Sequence, residues 1–431
     1  MGYKPLGIKA VRMPDRVETA DVAIVGCGPG GAVLSYLLAR SGVDVALVER
    51  AATFEREYRG FGWNPGVIRL FDEMGVLDDV LDLAHETVTD GTFSLYGRDV
   101  PVLNFDVLDT EYPYALMMEQ PSLLEYLVER ADRYESFTFH SSTTVTDLRI
   151  ESDGTVRGVE AHDRKADADV RFDARVVVGA DGRYSTVRSR AGIDPGFFES
   201  PIDLVWFKLP TGAIDARTEG RIDRNGILLY FGLGEGDLQV GYPILGGEWT
   251  TIRQGGFSAF CNRIAAIDSK LAAAMHRHLD GFRDTTLLDV APGIAATWAR
   301  DGMLLLGDAA HTASPIGAQG NPLAIEDAVV IHDVLVRALR DGTGVVPAEP
   351  LSKFETRRRP TVERVISLQR RAAQNLAFWI TYGRYIPELL VRGPATAFSW
   401  LISRLPPIRK SIESFALGDR SVSVTQSHFI E

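Results

Sequence analysis

Asp21-Val-Ala-Ile-Val25-Gly26-Cys27-Gly28-Pro29-Gly30-Gly31, continued by Ala32 to Ser41 and then by Val43-Asp-Val-Ala-Leu-Val-Glu49, is the stretch that decides the fold. An apolar run ends in a glycine turn, a helix-like segment follows, and a second apolar run ends on an acid. Strand, turn, helix, strand, carboxylate is the order of a dinucleotide-binding unit. Gly26 permits the tight turn, Gly28 lets the backbone approach a pyrophosphate, and Gly31 lets the helix pack on the strand, with Gly30 beside it. The free N–H groups and positive dipole end of the helix then face the phosphates. Glu49 falls eighteen residues after Gly31, where its carboxylate can accept hydrogen bonds from ribose hydroxyls, and Arg50 follows it. Such an acid favours an adenosine with a free 2′-OH. On its own the pattern does not choose between FAD and NAD.

The whole chain fits a protein built around such a unit. Its 431 residues exceed one ordinary domain and suit two intertwined ones. The apolar share of 45% and charged share of 24% are those of a globular protein. The net charge of −12, without a Lys/Arg block, excludes nucleic acid as the expected partner. Cys27 and Cys261 are the two cysteines, and with one inside the glycine turn a disulfide is not expected, which points to the reducing cytoplasm. Residues 1–20 mix acids and bases without an apolar core, and no run of eighteen apolar residues occurs, so neither a secretory signal nor a transmembrane segment is expected.

Two later motifs choose the cofactor. One is Arg175-Val-Val-Val-Gly179-Ala-Asp181-Gly182-Arg-Tyr-Ser185-Thr-Val-Arg188; the other is Met303-Leu-Leu-Leu-Gly307-Asp308-Ala-Ala-His311-Thr-Ala-Ser-Pro315-Ile-Gly317-Ala-Gln-Gly320-Asn321-Pro322. With the first motif, and in this order, they resemble the three fingerprints of the FAD-dependent aromatic hydroxylases, the family of para-hydroxybenzoate hydroxylase. The resemblance runs from Asp21 to about Pro360. It implies that Asp181 serves both FAD and NAD(P)H, that Arg59 touches the cofactor and gates its ring, and that Gln120, heading a helix from Pro121 to Ala131, contacts the ribityl chain.

Physical reasons stand beside the resemblance. Leu304 to Leu306 reads as a buried strand that ends at Asp308, whose carboxylate can hold a ribityl chain. The loop Pro315, Gly317, Gly320 is rich in glycine, so its backbone can approach a flat ring. Asn321 and Pro322 read as the N-cap and first position of a helix to about Leu339, with its positive end toward the flavin. This loop departs from the family's pattern: Ala318 stands where a second glycine is usual, and Asn321-Pro322 replaces an apolar-Asn pair. Pro322 lacks an N–H, which removes one expected flavin contact.

The expected architecture is therefore mixed α/β. A discontinuous Rossmann-like FAD-binding domain (18–91, 112–199 and 291–345) is interleaved with an antiparallel-sheet substrate domain (92–111 and 200–290) and followed by a C-terminal helical region (346–431). Ile227 to Phe231 and Leu238 to Tyr242 flank a glycine-rich turn and read as a hairpin. Trp206, Tyr230 and Tyr242 are candidate pocket walls, none singled out. No catalytic acid, base or metal site is assignable, and His311 reads as a brace for its loop. Leu376 to Pro407 is apolar and aromatic; the readings, in order, are a pocket cover, a homodimer contact and a peripheral membrane contact.

The resemblance implies a monooxygenase that uses NADPH or NADH as transient reductant and O2 to hydroxylate an aromatic or other electron-rich small molecule through a flavin C4a-hydroperoxide. The alternative is an FAD-dependent reductase or epoxidase acting on an isoprenoid or lipid. A halogenase would need its lysine and a Trp-x-Trp-x-Ile-Pro stretch, neither of which is present. A non-catalytic flavin-binding protein would show no substrate-stimulated NAD(P)H oxidation.

Overall fold

The computed structural model describes residues 14–55, 62–215, 218–234, 237–387, 413 and 415–430. Strand β1 (Arg16–Val25) passes through the glycine turn into helix α1 (Pro29–Arg40) and strand β2 (Val45–Val48); helix α2 (Pro65–Glu73) precedes β3 (Asp90–Leu95) and β4 (Arg98–Asn104). Helix α3 (Gln120–Ala131) leads to β5 (Phe137–His140), and the long β6 (Ala168–Gly179) to the short α4 (Thr186–Arg190). Then come β7 (Ile202–Pro210), β8 (Glu219–Asp223), β9 (Gly226–Gly232), β10 (Asp237–Leu245), α5 (Phe257–Ala265), α6 (Ser269–His278) and β11 (Thr285–Leu288). Strand β12 (Met303–Leu305) carries the third motif toward α7 (Gly320–Arg340), which α8 (Ala348–Tyr382) follows.

The fold is mixed α/β with a Rossmann-like half. Its sheet has the parallel order β12-β6-β1-β2-β5. Val22, Ile24, Val176, Val178 and Leu304 have no solvent exposure, as apolar runs covered on both faces require. The register decides what happens at the carboxyl edge. Val25 pairs with both Val48 and Gly179, and Gly179 pairs with Leu305. Four strands thus end level, and the residues after them, from three distant parts of the chain, meet along one edge. That edge is where ligands bind in open α/β sheets.

The second sheet runs β11-β7-β10-β9-β8-β3-β4. Strands β9 and β10 pair antiparallel as the expected hairpin. On one face Val205, Phe207, Leu228, Tyr230, Val240 and Tyr242 pack with Phe260, Ile264, Leu271 and Met275 of α5 and α6 in a second core. Tyr230 is buried there and donates its hydroxyl to Asp268 at 2.9 Å. Tyr230 and Tyr242 are therefore core residues under the helices and not pocket walls. Trp206, one residue out of step, lies on the opposite face.

Helix α7 opens at Gly320, earlier than the Asn321 cap suggested, with Gln319 as cap and Pro322 in its first turn. A missing N–H costs nothing there, because the first N–H groups have no intrahelical partner. Helix α8 runs straight through Pro360 to Tyr382, whereas residues 418–430 lack α-helix. Of the apolar stretch Leu376 to Pro407, residues 388–407 lie outside the described residues. Among the described residues, no helix is long and apolar enough to cross a membrane.

Helix α7 also buries His332 against α1, with its Nε2 2.8 Å from Ser41 Oγ. Burial first, and the nearby His428 second, hold this imidazole down to about 3 from its ordinary 6.5, with Arg340 adding to and Asp333 opposing the shift. Between those values the unfolded chain binds a proton that the folded chain refuses, so stability falls as pH drops below 6.5. Urea unfolding at pH 6.5 and 5.5 should show this loss, up to about 1.4 kcal/mol per pH unit. His332→Gln should flatten that dependence; an unchanged slope would contradict the assignment.

Candidate active site

The glycine turn is tight where the chain must close and open where a ligand would enter. A Cβ on Gly26, whose φ is +102°, would lie 2.5 Å from the Ala180 carbonyl oxygen, and one on Gly31 would lie 2.1 Å from that of Gly26. One on Gly30 would lie 2.3 Å from Leu306 Cδ2 and 3.0 Å from Ala324 O, so α1 is pressed onto the third motif as well. At Gly28, the cap residue of α1, a Cβ would meet nothing within 4 Å. Glu49 is buried with one oxygen accepting from Cys27 N and the other from Ala51 N, both at 2.8 Å. These bonds aim the carboxylate at the turn. Arg50 is exposed beside it, with its carbonyl accepting from Arg164.

Asp181 caps α4: its carboxylate accepts from Thr186 N at 2.6 Å, Val187 N at 3.1 Å and the Ser185 hydroxyl. It abuts the first turn, its Cα lying 2.8 Å from a Cβ on Gly26. Arg188, buried at the end of the same motif, donates to Ala309 O at 2.9 Å and thereby ties the second motif to the third.

Beyond β12, Asp308 Oδ1 lies 4.0 Å from a Cβ on Gly320, facing the start of α7. Pro315 O accepts from Ala318 N at 3.0 Å, and Gly317 (φ +72°) and Ala318 (φ +52°) are both left-handed. Glycine suits that conformation, and alanine holds it at a cost of about 1 kcal/mol. Gln120 and Asn321 meet, Nε2 to Oδ1 at 3.4 Å, across 201 positions of sequence. Arg59 lies outside the described residues.

Sequence reading missed what holds this loop. Gln369 of α8, 1% exposed, accepts from Ser314 N at 3.0 Å and donates to Ser314 O at 2.8 Å and Ile316 O at 2.7 Å, bracketing Pro315. Below it, Asp327 Oδ2 accepts from His311 Nε2 at 2.5 Å and Gly307 N at 3.3 Å, while Oδ1 accepts from Arg358 Nε at 2.8 Å. Arg358 also reaches Glu326 at 2.5 Å and Asp419 at 3.3 Å. Burial would raise Asp327, but His311 and Arg358 outweigh it and hold the carboxyl below its ordinary range. Burial raises Glu326 despite Arg358. His311 is thus the brace that the sequence suggested.

The family model for the FAD binding domain matches residues 19–236 and 244–369. The chain belongs to the FAD-dependent aromatic hydroxylase family. A 6-methylpretetramide 4-monooxygenase from Streptomyces rimosus is 37% identical over 97% of this chain and 97% of its own. A rifampicin monooxygenase from Rhodococcus hoagii is 27% identical over 82% of this chain and 71% of its own. Among solved structures, p-nitrophenol 4-monooxygenase PnpA from Pseudomonas putida DLL-E4 shares the fold with a TM-score of 0.74 at 20% identity, covering 94% of this chain and 100% of that one. The chain is thus an FAD-dependent monooxygenase with NAD(P)H as reductant, hydroxylating an aromatic substrate.

In this hydroxylase the face of the second sheet opposite α5 and α6 carries Lys208 and the buried Trp206. Lys208 Nζ on that face contacts Glu119 Oε1 at 2.5 Å and Asp237 Oδ2 at 3.2 Å, and Glu119 immediately precedes Gln120. The two carboxylates outweigh burial and keep the ammonium charged. Two residues away, the Trp206 ring covers Gly241, where a Cβ would lie 2.6 Å from Cζ3, and stands 6.0 Å from the Phe231 ring. Phe93 covers Gly220 in the same way at 2.1 Å. Phe93, Leu229 and Phe231 remain partly accessible, unlike the opposite face under the helices.

Replacing Arg358 with Met strands two buried carboxylates. Its urea unfolding free energy should fall by about 3 kcal/mol or more; a loss under about 1 kcal/mol would show that the cluster does not hold the loop.

Proposed function

We propose that this hydroxylase acts on a multi-ring phenolic compound of the polyketide type, seated on the Trp206, Phe231 and Phe93 face with its reacting ring toward the loop at Pro315. The aromatic floor carries this reading: the Trp206 and Phe93 rings cover Gly241 and Gly220, and Phe93 and Phe231, both partly accessible, offer apolar rings that a fused aromatic system can stack on. The name of the Streptomyces rimosus relative supports it.

The residues fit FAD. Gly26, Gly28, Gly30 and Gly31 would receive the pyrophosphate at the α1 N-terminus, and Glu49, with Arg50 alongside, the adenosine ribose. Asp308 and Gln120 would take the ribityl chain, and Pro315, Gly317, Gly320 and Asn321 would line the ring, with Asp181 at the margin. When bound, FAD supplies hydride acceptance from NADPH or NADH and activation of O2. The balance is substrate C–H, O2, NAD(P)H and H⁺ giving substrate C–OH, water and NAD(P)⁺.

The chain contributes position and surroundings. The first N–H groups of α7 point their positive end at the loop, favouring negative charge there. Lys208, held by Glu119 and Asp237, pins the substrate sheet beside Gln120, and the aromatic floor excludes water from the face it covers. The hairpin β3–β4 within the second sheet supports the division into 18–91, 112–199 and 291–345 against 92–111 and 200–290. Neither buried cysteine forms a disulfide, which supports a cytoplasmic setting.

Purified protein should oxidise NADPH with matching O2 uptake when multi-ring phenols are added. Trp206→Ala should raise KM for these about tenfold, equivalent to ~1.4 kcal/mol, with kcat for single-ring phenols and FAD content unchanged. Stimulation by isoprenoids and not by phenols would overturn the substrate class.

A further inference from the structure

The chain's own C-terminal residues lie along the cofactor side of the molecule. The Phe415 carbonyl accepts from Asn64 Nδ2 at 3.0 Å and from Gln319 Nε2 at 3.1 Å. Gln319, 4% exposed, gives the same amide to Gly317 O at 2.8 Å, and a Cβ on Gly317 would lie 3.1 Å from the Phe415 ring. The Leu417 carbonyl oxygen lies where a Cβ on Gly66 would be 2.3 Å away. Asp419 gives its N–H to Glu326 at 2.8 Å and accepts from Arg358 at 3.3 Å and Thr361 at 3.2 Å. Farther on, Arg69 donates to Val422 O and Val424 N to Glu73, both at 2.8 Å.

These bonds have a common geometry. The loop from Ser314 to Gln319 is held from α8 by Gln369 and from the other side by Phe415, and the buried Gln319 amide has its second acceptor in the C-terminal segment. That segment is in turn latched onto Glu326 and Arg358, the same cluster that fixes Gly307 and His311. Loop and segment share partners, so ordering one lowers the cost of ordering the other.

We propose that residues 415–424 form a strap that is a working part of the flavin site, with Phe415 and Gln319 as positioning residues for the ring loop. FAD binding and strap docking favour one another. The proposal rests on the FAD reading above, which gives the Pro315 to Asn321 loop its contact with the ring.

The test compares hydrogen exchange of residues 415–424 in the full chain, stripped of flavin and reloaded with FAD, and measures FAD affinity from flavin fluorescence. FAD should slow exchange in the strap at least severalfold. Gly66→Ala, which pushes on the Leu417 carbonyl without touching the loop, should weaken FAD binding about tenfold and shift the visible flavin bands. Phe415→Ala should do the same and decides the matter if Gly66→Ala does not fold. Lys353→Ala, which removes only an exposed pair with Glu349 at the start of α8, should bind FAD like the parent. Strap exchange indifferent to FAD, or unchanged FAD affinity and bands in the folded variants, would overturn the proposal. Protein that takes up no FAD would instead overturn the cofactor reading itself.

Discussion

The carboxylate of Asp327 is the point on which the site's construction turns. It sits without solvent exposure in the second turn of α7 and receives Gly307 N, His311 and Arg358. The first two belong to the strand end that presents Asp308; the third belongs to α8 and leads on to Glu326 and Asp419. Taking these charges out of water is expensive, and their mutual attraction repays the cost only while every partner is present. The third motif, the long closing helix and the chain's end are thereby obliged to assemble together.

Around that point the parallel sheet supplies alignment. Because β1, β2, β6 and β12 end in register, three motifs separated by well over a hundred residues converge, and Arg188 ties the second to the third. Backbone contact at Gly26, Gly30 and Gly31 then locks α1 against both neighbours. The second sheet is fastened on through Lys208 and the residue before Gln120.

Much of this was legible in the sequence because it is written locally. The Gly26 to Glu49 unit, the strand before Gly307 and the β9–β10 hairpin each carry their signal within some twenty residues, and family resemblance singled out Gln120, which the structure brings to Asn321. What stayed hidden depends on distance. Gln369 is 55 positions from Ser314 and Phe415 is 96 from Gln319, and each binds backbone, which leaves no mark in sequence pattern. Alternation in β7 separates Trp206 from Val205 and Phe207, yet it does not say which face meets the flavin edge. For that reason Tyr230 and Tyr242 could not be told from wall residues; the glycines opposite Trp206 and Phe93 were the available clue. Ala318, where the family usually has glycine, takes the left-handed conformation that glycine adopts at less cost.

Gly28 offers the most direct test of the claim that the three motifs form one FAD site. Its φ of −80° suits any residue, and a Cβ there meets no protein atom within 4 Å. Replacing it with valine should leave the fold and unfolding midpoint unchanged while filling the space that the pyrophosphate needs. Equilibrium titration of flavin-free protein with FAD should therefore show tight one-to-one binding for the parent and a loss of at least a hundredfold, about 2.7 kcal/mol, for a folded Gly28→Val. A folded Gly28→Val that binds FAD as tightly as the parent would contradict the account.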